Sequence, residues 1–477
     1  MSRMNDAEAI MWAVEKDPAL RSDFVNVTLL DRPPDRARVR ATVERAVDEI
    51  TRLAERVVNP PLRIAPPEWQ RDPGLDLDYH LRTVGLPAPG DMRELLACAE
   101  GIAARPFDRA RPLWELTVVE GLADGRAAFL QKVHHTVTDG VGGVKLSLAL
   151  LDFEREPAEA SDAEVSPARA VADEAHDRVE AAARADPVTR TSSPGVLAGA
   201  LAFTARRSLD AARQRAARTA RLMLRPDDAA RGVADAVAAV DALRRQVVIA
   251  DPHRSPLLAP RSIGMRFDTL SVPLSTVKAA GKRLGCSVND VFVTAVAGAL
   301  GAYHDRMGEP CDELRMAMPV NLRGEGADEP GNNFSPTRLV VPTGPKDPVE
   351  RLERVRRVIS GARDDPGVTA TWSMARLVAP LPTAMLVTLA RSQARTIDFV
   401  ASNLRGSPVD LYLGGARLEG NFPMGPRAGC AVNVTTLSYR DSLDIGLNSD
   451  PAAISDPEAL VTLLDESFAD LVAAGSA

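Results

Sequence analysis

Cysteine is scarce in this sequence, and the few cysteines lie far apart. Cys98, Cys286, Cys311 and Cys430 form neither a CxxC pair nor a regular framework. Structural zinc sites and secreted disulfide scaffolds both depend on such spacing, so the pattern favours neither of them. We therefore expect four reduced thiols.

Long apolar runs are also missing. Nowhere do about 18 apolar residues follow one another, which is the length that a membrane-spanning helix requires. Near the amino terminus Arg3 is followed by Asp6 and Glu8. No apolar run of about 7 to 15 residues comes after them, so no signal peptide is predicted. We expect a cytoplasmic protein that at most touches a membrane surface.

An excess of positive charge is the third feature that the chain lacks. The net charge is -7, with 26% charged and 45% hydrophobic residues, which is typical of a soluble globular protein. This balance argues against a nucleic-acid binder, which needs a basic footprint. Because 477 residues exceed one ordinary core, we predict domains at residues 1–155 and 251–477, joined by a helical connector at residues 156–250.

The connector has a composition of its own. It is acidic and Ala-rich at first, then Arg- and Ala-rich, and seven arginines between Arg206 and Arg225 accompany the single acid Asp210. Two interpretations stay open for this run. It forms a helix that lies on an anionic membrane, or a solvated helical linker that packs on its own protein.

Hydrophobic patterning in both halves predicts mixed strands and helices. Short apolar runs at residues 113–119 and 127–133 predict two paired strands, and residues 141–152 have the pattern of a helix. In the second half a helix begins near Ser287, with Ser287 or Asn289 as its cap. Further strands are predicted at residues 314–320, 339–341, 410–413, 431–437 and 442–447. This order favours an α+β fold in each half.

The segment His134-His135-Thr136-Val137-Thr138-Asp139-Gly140 lies where the second predicted strand ends and the helix follows. Successive side chains of a strand point to opposite faces, so one histidine can enter a cleft while the other packs. A neutral imidazole can take a proton from a hydroxyl that attacks a carbonyl. No GxSxG nucleophile elbow is present, so direct attack by an acceptor is favoured over an acyl-enzyme.

Chemistry alone leaves two other interpretations of this pair open. Both histidines can be structural, and His134, His135 and Asp139 can form a metal site if a further ligand is supplied.

Several further motifs occur in order along the chain, and together they resemble the bacterial wax ester synthase/diacylglycerol acyltransferases. This family belongs to the superfamily of CoA-dependent acyltransferases and condensation domains. The resemblance covers almost the whole chain outside the connector. Besides the His-His segment, the matching stretches are residues 76–80, 111–115, 287–291, 318–323, 331–333, 402–406 and 411–416.

The resemblance implies a fold and an activity. The expected fold is α+β, with two chloramphenicol-acetyltransferase-like domains that have mixed sheets and an active-site tunnel at their interface. A crossing segment from the second half completes the first. The expected activity is an O-acyltransferase that moves a long-chain acyl group from acyl-CoA to a fatty alcohol or diacylglycerol, forming wax esters or triacylglycerol.

The resemblance also assigns roles to residues of the His-His segment. His135 is expected to be the general base, with His134 as a structural or assisting neighbour. Asp139 is expected to hold the loop, and Gly140 to leave room for the substrate.

Residues outside that segment are expected to bind substrate or to support the site. Trp114 is expected to act as core packing. For Asn289 two roles stay open, polar support near the reacting carbonyl or the tunnel, and a helix cap. Asp290 is expected to interact with the helix dipole or to form a structural salt bridge. Ser402 and Asn403 complete this group.

The same resemblance implies acyl-CoA as cosubstrate, with no metal and no other cofactor. Because acyl chains are insoluble in water, peripheral contact with the inner membrane face or lipid droplets is expected. One alternative is a condensation-type acyltransferase whose acyl donor is bound to a carrier protein. Another is a degenerate acyltransferase fold that binds lipid without turnover.

Overall fold

The computed structural model describes residues 2–60, 65–138, 140–156, 203–204, 206, 254–321, 334–363, 378–379 and 381–475. Asp139 and the motif residues 322–323 and 331–333 fall outside these ranges. So does the predicted helical connector at residues 156–250, including its Arg-rich run, apart from residues 156, 203–204 and 206. Whether that run forms a membrane-binding helix stays a prediction.

A six-stranded mixed sheet organises the first half of the chain. Its order is β12-β13-β2-β7-β6-β5, and all neighbouring strands are antiparallel except β5 and β6. The strands are β2 (Asp23–Leu30), β5 (Leu81–Gly85), β6 (Trp114–Glu120), β7 (Ala127–His134), β12 (Tyr412–Leu413) and β13 (Ala416–Met424). The predicted pairing of two strands before the His-His segment is confirmed, because β6 and β7 are adjacent and antiparallel.

A second six-stranded mixed sheet lies in the other half, in the order β10-β9-β11-β14-β15-β8. Strand β11 runs parallel to both of its neighbours, and the remaining pairs are antiparallel. The strands are β8 (Arg266–Pro273), β9 (Glu313–Asn321), β10 (Phe334–Pro342), β11 (Phe399–Arg405), β14 (Val432–Tyr439) and β15 (Ser442–Ser449). A small third sheet joins β1 (Ser2–Arg3), β4 (Glu68–Arg71) and β3 (Glu55–Val58).

Strand β13 crosses from the second half into the first sheet. Its residues Leu418 to Met424 pair with β2 of the first half. It follows β12 through a two-residue turn, Gly414-Gly415, whose φ angles of 51° and 82° are readily adopted only by glycine. The predicted crossing segment is therefore confirmed.

The helices are set by local capping as well as by apolar faces. Asn5 caps the first helix in a capping box with Glu8, and Ser287 forms the same box with Asp290. The helices of the described residues are α1 (Asp6–Val14), α2 (Arg36–Glu49), α3 (Leu77–His80), α4 (Met92–Ala104), α5 (Gly140–Ala149), α6 (Leu274–Arg283), α7 (Val288–Arg306), α8 (Pro348–Arg363), α9 (Thr383–Ala394) and α10 (Pro457–Ala474).

The first sheet carries an apolar core on each face, and strand β7 contributes to both. Phe129 and Val133 belong to the core that includes residues of α2 and α5. Leu130, on the alternate face, belongs to the core that includes α4. This alternation decides which way each residue at the end of β7 points.

Two sequence predictions about the chain as a whole can be compared with the structure. The four cysteines are free, as expected. In the described ranges no single helix meets the length and hydropathy needed to cross a membrane, although α6 and α7, bent by 99° at their junction, meet it together.

Candidate active site

The His-His segment begins at the last residue of β7 and leads into α5. The backbone N–H of His134 donates to the Leu113 carbonyl at 3.1 Å, and the N–H of His135 donates to the Ser22 carbonyl at 3.1 Å. A turn then forms, in which the Val137 N–H donates to the His134 carbonyl at 2.9 Å. The backbone of both histidines is therefore fixed by residues that precede β2 and β6.

The two imidazoles have different surroundings. His134 is only 1% exposed, and its ring meets the Trp12 ring edge-on with centroids 5.9 Å apart. His135 is half-buried and meets the Phe24 ring edge-on at 5.5 Å. The chain thus buries one histidine and leaves the other partly open.

His134 is held at both ring nitrogens. Its Nε2–H donates to Oε1 of Glu15 at 2.5 Å, and its Nδ1 hydrogen-bonds Oγ1 of Thr136 at 2.6 Å. Burial acts to lower the pKa of His134, but the carboxylates of Glu15 and Asp23 outweigh it and raise this pKa above its usual value. Burial acts to raise the pKa of Glu15, but His134, the Ser22 N–H and Arg109 together lower it.

Two more ionisable groups lie beside this pair. Burial raises the pKa of Asp23 to about 6, although His134 and Lys132 favour its charged form. Lys132 is 1% exposed, and burial lowers its pKa. Its Nζ donates to the Ile102 carbonyl at 3.1 Å and lies 3.8 Å from Oδ2 of Asp23. Four ionisable side chains are therefore buried together behind the His-His segment.

No motif in the sequence marks Glu15 or Asp23 as part of this site. Glu15 lies 119 residues before His134, and neither acid has a spacing to the segment that would mark it. Only the pairing of β2 with β7, which sets Asp23 opposite His134, brings Asp23 to this place.

Glu15, Asp23 and His134 also have the chemistry of metal ligands. One ligand atom from each lies within 4.8 Å of the other two. This set differs from the set of His134, His135 and Asp139 that the sequence suggested. His134 already donates its Nε2 proton to Glu15, so a cation would have to replace that hydrogen bond. The absence of a metal from the site stays a prediction.

Phe24 and Gly143 determine the space beside His135. An added Cβ at Gly143, the fourth residue of α5, would lie 3.3 Å from Cζ of Phe24. A side chain at this position would therefore press on the aromatic ring that contacts His135. Gly140 is the first residue of α5, and its predicted role in making room for substrate stays a prediction.

Trp114 lies in the core, as its predicted supporting role requires. It is 2% exposed, its Nε1–H donates to the Leu53 carbonyl at 2.8 Å, and its ring stacks on His80 at 4.3 Å. His80 in turn donates from Nδ1 to the Trp114 carbonyl at 2.8 Å, and burial lowers the pKa of His80. A small apolar cavity lies beside Trp114, between Val133, Leu146 and Leu150.

Ser402 and Asn403 lie where the second sheet opens. Strand β11 pairs with β9 only at Phe399 and Val400, whereas it stays paired with β14 as far as Arg405. Beyond Val400 the two parallel strands β9 and β11 therefore separate. Helix α5 of the first half contacts β11. The structure thus brings β11, the strand that contains Ser402 and Asn403, against the helix that follows the His-His segment.

Asn289 and Asp290 lie in the first turn of α7. Oδ2 of Asp290 accepts the N–H of Ser287 at 2.9 Å and its Oγ–H at 2.7 Å, and the Asp290 N–H donates back to Oγ of Ser287 at 3.2 Å. Ser287 is the cap, so the alternative that Asn289 caps this helix is wrong. Asp290 is occupied in the capping box, and Asn289 is half-buried beside it.

Comparisons of the sequence agree with this arrangement. The model of the wax ester synthase/diacylglycerol acyltransferase catalytic domain matches residues 4–292, and that of the C-terminal domain of the same family matches residues 330–472. A putative diacylglycerol O-acyltransferase of Mycobacterium tuberculosis is 34% identical over 473 residues, which cover 98% of this chain and 91% of that one. Another from the same organism is 30% identical over 500 residues, covering 100% and 98%.

Two solved structures share the fold. The wax ester synthase/diacylglycerol acyltransferase from Marinobacter aquaeolei VT8 superposes with a TM-score of 0.64 at 21% identity, covering 100% of both chains. The first condensation domain of the calcium-dependent antibiotic synthetase gives 0.59 at 14% identity, covering 100% and 96%. The expected two-domain fold with mixed sheets is confirmed, and the chain belongs to the wax ester synthase/diacylglycerol acyltransferase family of acyl-CoA-dependent O-acyltransferases.

Proposed function

We propose that His135 is the general base when this O-acyltransferase moves a long-chain acyl group from acyl-CoA to a fatty alcohol or diacylglycerol. One observation carries the assignment. The half-buried imidazole of His135 lies at the end of β7, beside the helix α5 that contacts β11 of the second half. His134 is buried and bonded to Glu15, so it is poorly placed to meet a substrate.

The reaction needs one proton acceptor and no covalent enzyme intermediate. His135 takes the proton of the acceptor hydroxyl while the oxygen attacks the thioester carbonyl. The C–S bond of the tetrahedral intermediate then breaks, and the CoA thiolate leaves with the electron pair. Imidazolium at His135 returns the proton to the thiolate, so the products are an ester and free CoA. This sequence of steps calls for no metal and no further cofactor.

Holding both substrates at one place supplies the entropic part of the rate. We place this site between the two halves, where α5 contacts β11. Apolar chains also need apolar surroundings. The apolar side chains of Val133, Leu146 and Leu150, which pack together beside the His-His segment, contribute such surroundings.

Contact with a membrane or lipid droplet is part of the proposal, within a cytoplasmic location. Its basis is the insolubility of the acyl chains, and the Arg-rich run of residues 206–225 is the candidate surface. Flotation with anionic liposomes measures this contact. Replacement of the arginines should reduce the bound fraction, and unchanged binding would remove the run from consideration.

A carrier-protein-bound acyl donor is the second candidate. The likeness to a condensation domain supports it at the level of fold, whereas the matches to both family models favour a free CoA donor.

The first test is release of free CoA from palmitoyl-CoA by the purified protein, offered hexadecanol or a diacylglycerol in separate reactions. We expect acceptor-dependent release that falls by about 100-fold or more in His135→Ala and His135→Asn. Thermal unfolding of each variant controls for folding. Full activity in both variants would refute the assignment of the base, and turnover only with a carrier-bound thioester would select the second candidate.

A further inference from the structure

We infer that Glu15 is a positioning residue for His135, an inference that rests on the proposed function. Glu15 is the C-cap residue that follows α1, and its side chain is 8% exposed. Its Oε1 atom accepts hydrogen bonds from two groups that lead to the His-His segment by separate routes.

The first route runs through the side chain of His134. The Nε2–H of His134 donates to Oε1 of Glu15 at 2.5 Å, while Nδ1 hydrogen-bonds Oγ1 of Thr136 at 2.6 Å. The imidazole therefore links the end of α1 to the turn that follows His135. The strand end cannot shift without breaking one of these two bonds.

The second route runs through the backbone of Ser22. The N–H of Ser22 donates to the same Oε1 atom at 3.0 Å, and the Ser22 carbonyl accepts the N–H of His135 at 3.1 Å. A single residue, Ser22, thus connects the carboxylate of Glu15 to the main chain of the proposed base. Both routes end on the Oε1 atom of Glu15. Removal of this atom therefore breaks the hydrogen bonds of the His134 ring and of the Ser22 N–H at the same time.

Other contacts fix Glu15 itself. Arg109 lies with Nη2 3.4 Å from Oε2 of Glu15, and the same guanidinium donates to the Trp12 carbonyl at 3.2 Å. It also stacks on the Trp12 ring, whose edge meets His134. A carboxylate held in this way is pre-organised to accept from His134 and Ser22.

These contacts predict a catalytic effect without an effect on binding. A displacement of about 1 Å in a reacting group can lower a rate by about 100-fold. Glu15 lies behind the strand end, on the side of the buried His134, so it acts on His135 through the backbone. Loss of its carboxylate should therefore lower kcat and leave the KM values for acyl-CoA and acceptor nearly unchanged.

The chain contains a matched control two residues further on. Asp17 is also a buried carboxylate in the same turn, 4% exposed, and it accepts the N–H of Ala19. Its charge, however, pairs with Arg391 of α9 rather than with the His-His segment. Asp17→Asn therefore perturbs the same turn without touching either route to His135.

The experiment compares Glu15→Ala, Glu15→Gln and Asp17→Asn in the full-length protein. We expect kcat for CoA release to fall by about 100-fold in Glu15→Ala and by less in Glu15→Gln, whose amide oxygen can still accept. KM should change by less than about twofold, and Asp17→Asn should keep kcat within about threefold of the wild type. A loss in Glu15→Ala no larger than in Asp17→Asn, or a loss confined to KM, would overturn the inference.

A second readout separates this inference from the proposed function. The rate at which diethyl pyrocarbonate modifies His135, mapped by mass spectrometry, reports the placement of the ring without any turnover. We expect this rate to change in Glu15→Ala and to be restored towards the wild type in Glu15→Gln. If no acyl donor gives turnover, the proposed function fails while this measurement still decides the role of Glu15. An unchanged modification rate in Glu15→Ala would contradict that role. If Glu15→Ala does not fold, kcat decides, because a kcat in Glu15→Gln no lower than in Asp17→Asn would overturn the inference.

Discussion

At the residue scale, the buried ionisable groups behind His135 contribute to the stability of the fold in opposite ways as the pH changes. The pKa of Glu15 is lowered, so its contribution to stability is present above its usual value of 4.5 and is lost as the pH falls. The pKa of His134 is raised, so its contribution is present below its usual value of 6.5 and is lost as the pH rises. The pair therefore stabilises the fold most between these two values.

Asp23 gives a pH prediction of opposite sign to that of Glu15. Burial raises its pKa from 3.8 to about 6, so the folded protein favours the protonated acid, and stability is lost as the pH rises through 6. Asp23→Asn is neutral at every pH and avoids this loss. The melting temperature of the variant relative to the wild type should therefore be higher at about pH 7.5 than at about pH 4.5, as scanning fluorimetry can measure. If the relative melting temperature stays constant or falls as the pH rises over this range, ionisation of Asp23 does not destabilise the folded protein.

Gly143 gives a second prediction at this scale. In Gly143→Ala the new methyl group would lie 3.3 Å from the Phe24 ring, which must shift against His135. We expect kcat to fall by about tenfold, although alanine favours a helix by about 0.5 to 1 kcal/mol over glycine. Gly101→Ala, in α4 with nothing within 4 Å of the added Cβ, is the matched control and should keep full activity. Equal activity in both variants would mean that the ring tolerates the contact.

The sequence predicted the His-His pair at this scale but neither of the buried acids. A motif is visible because its residues are close together in the chain. Glu15 contacts His134, which lies 119 residues further along the chain. Nothing in the sequence around Glu15 distinguishes it from a surface glutamate.

At the element scale, α7 shows how a family motif can be a folding signal. Ser287 and Asp290 exchange three hydrogen bonds at the start of this 19-residue helix, most of which is buried in the apolar core of the second half. A capping box satisfies N–H groups that the first turn leaves without partners. Asp290 therefore has a structural role in the capping box, whereas Asn289, which lies between Ser287 and Asp290, takes no part in it.

This division predicts separate effects for the three residues. Ser287→Ala and Asp290→Ala should each lower the free energy of unfolding by about 1 kcal/mol. The double variant should lose less than the sum, since both act on one set of bonds. Asn289→Ala should stay within about 0.5 kcal/mol of the wild type. Urea denaturation measures all four proteins, and a loss in Asn289→Ala as large as in Ser287→Ala would refute this division.

Periodicity predicted these elements because their causes are local. The strands before the His-His segment, the helix after it and the helix from Ser287 were all expected from apolar spacing and caps. The opening between β9 and β11 was not expected, because the point at which two parallel strands separate depends on what packs above them rather than on their own residues.

At the scale of the whole molecule, β13 makes the two halves depend on each other. It lies beside β2 in the first sheet, and its Asn421 N–H donates to Oδ2 of the buried Asp444 in β15 of the second sheet at 2.7 Å. One strand therefore completes the first sheet and also bonds to the second.

A fragment of residues 1–155 should therefore fail to fold alone. Without β13, strand β2 would expose an unpaired edge and the apolar residues that Leu418 and Phe422 cover. We expect this fragment to be insoluble, and a fusion that adds residues 410–426 through a flexible linker to be more soluble. The matched control adds residues 442–449, which form β15 of the second sheet, through the same linker. A cooperative unfolding transition in the unfused fragment would contradict this dependence.

The sequence by itself determined the family, the activity class, the general fold and the place of the His-His segment between a strand and a helix. These follow from motifs, caps and apolar periods, whose physical causes act over a few residues. The tertiary structure alone decided that His134 is buried against Glu15, that Asp23 and Lys132 join it, and that the β11 stretch with Ser402 and Asn403 lies near α5. Such contacts join residues far apart in the chain, and they exist only after sheets and helices have packed and excluded water.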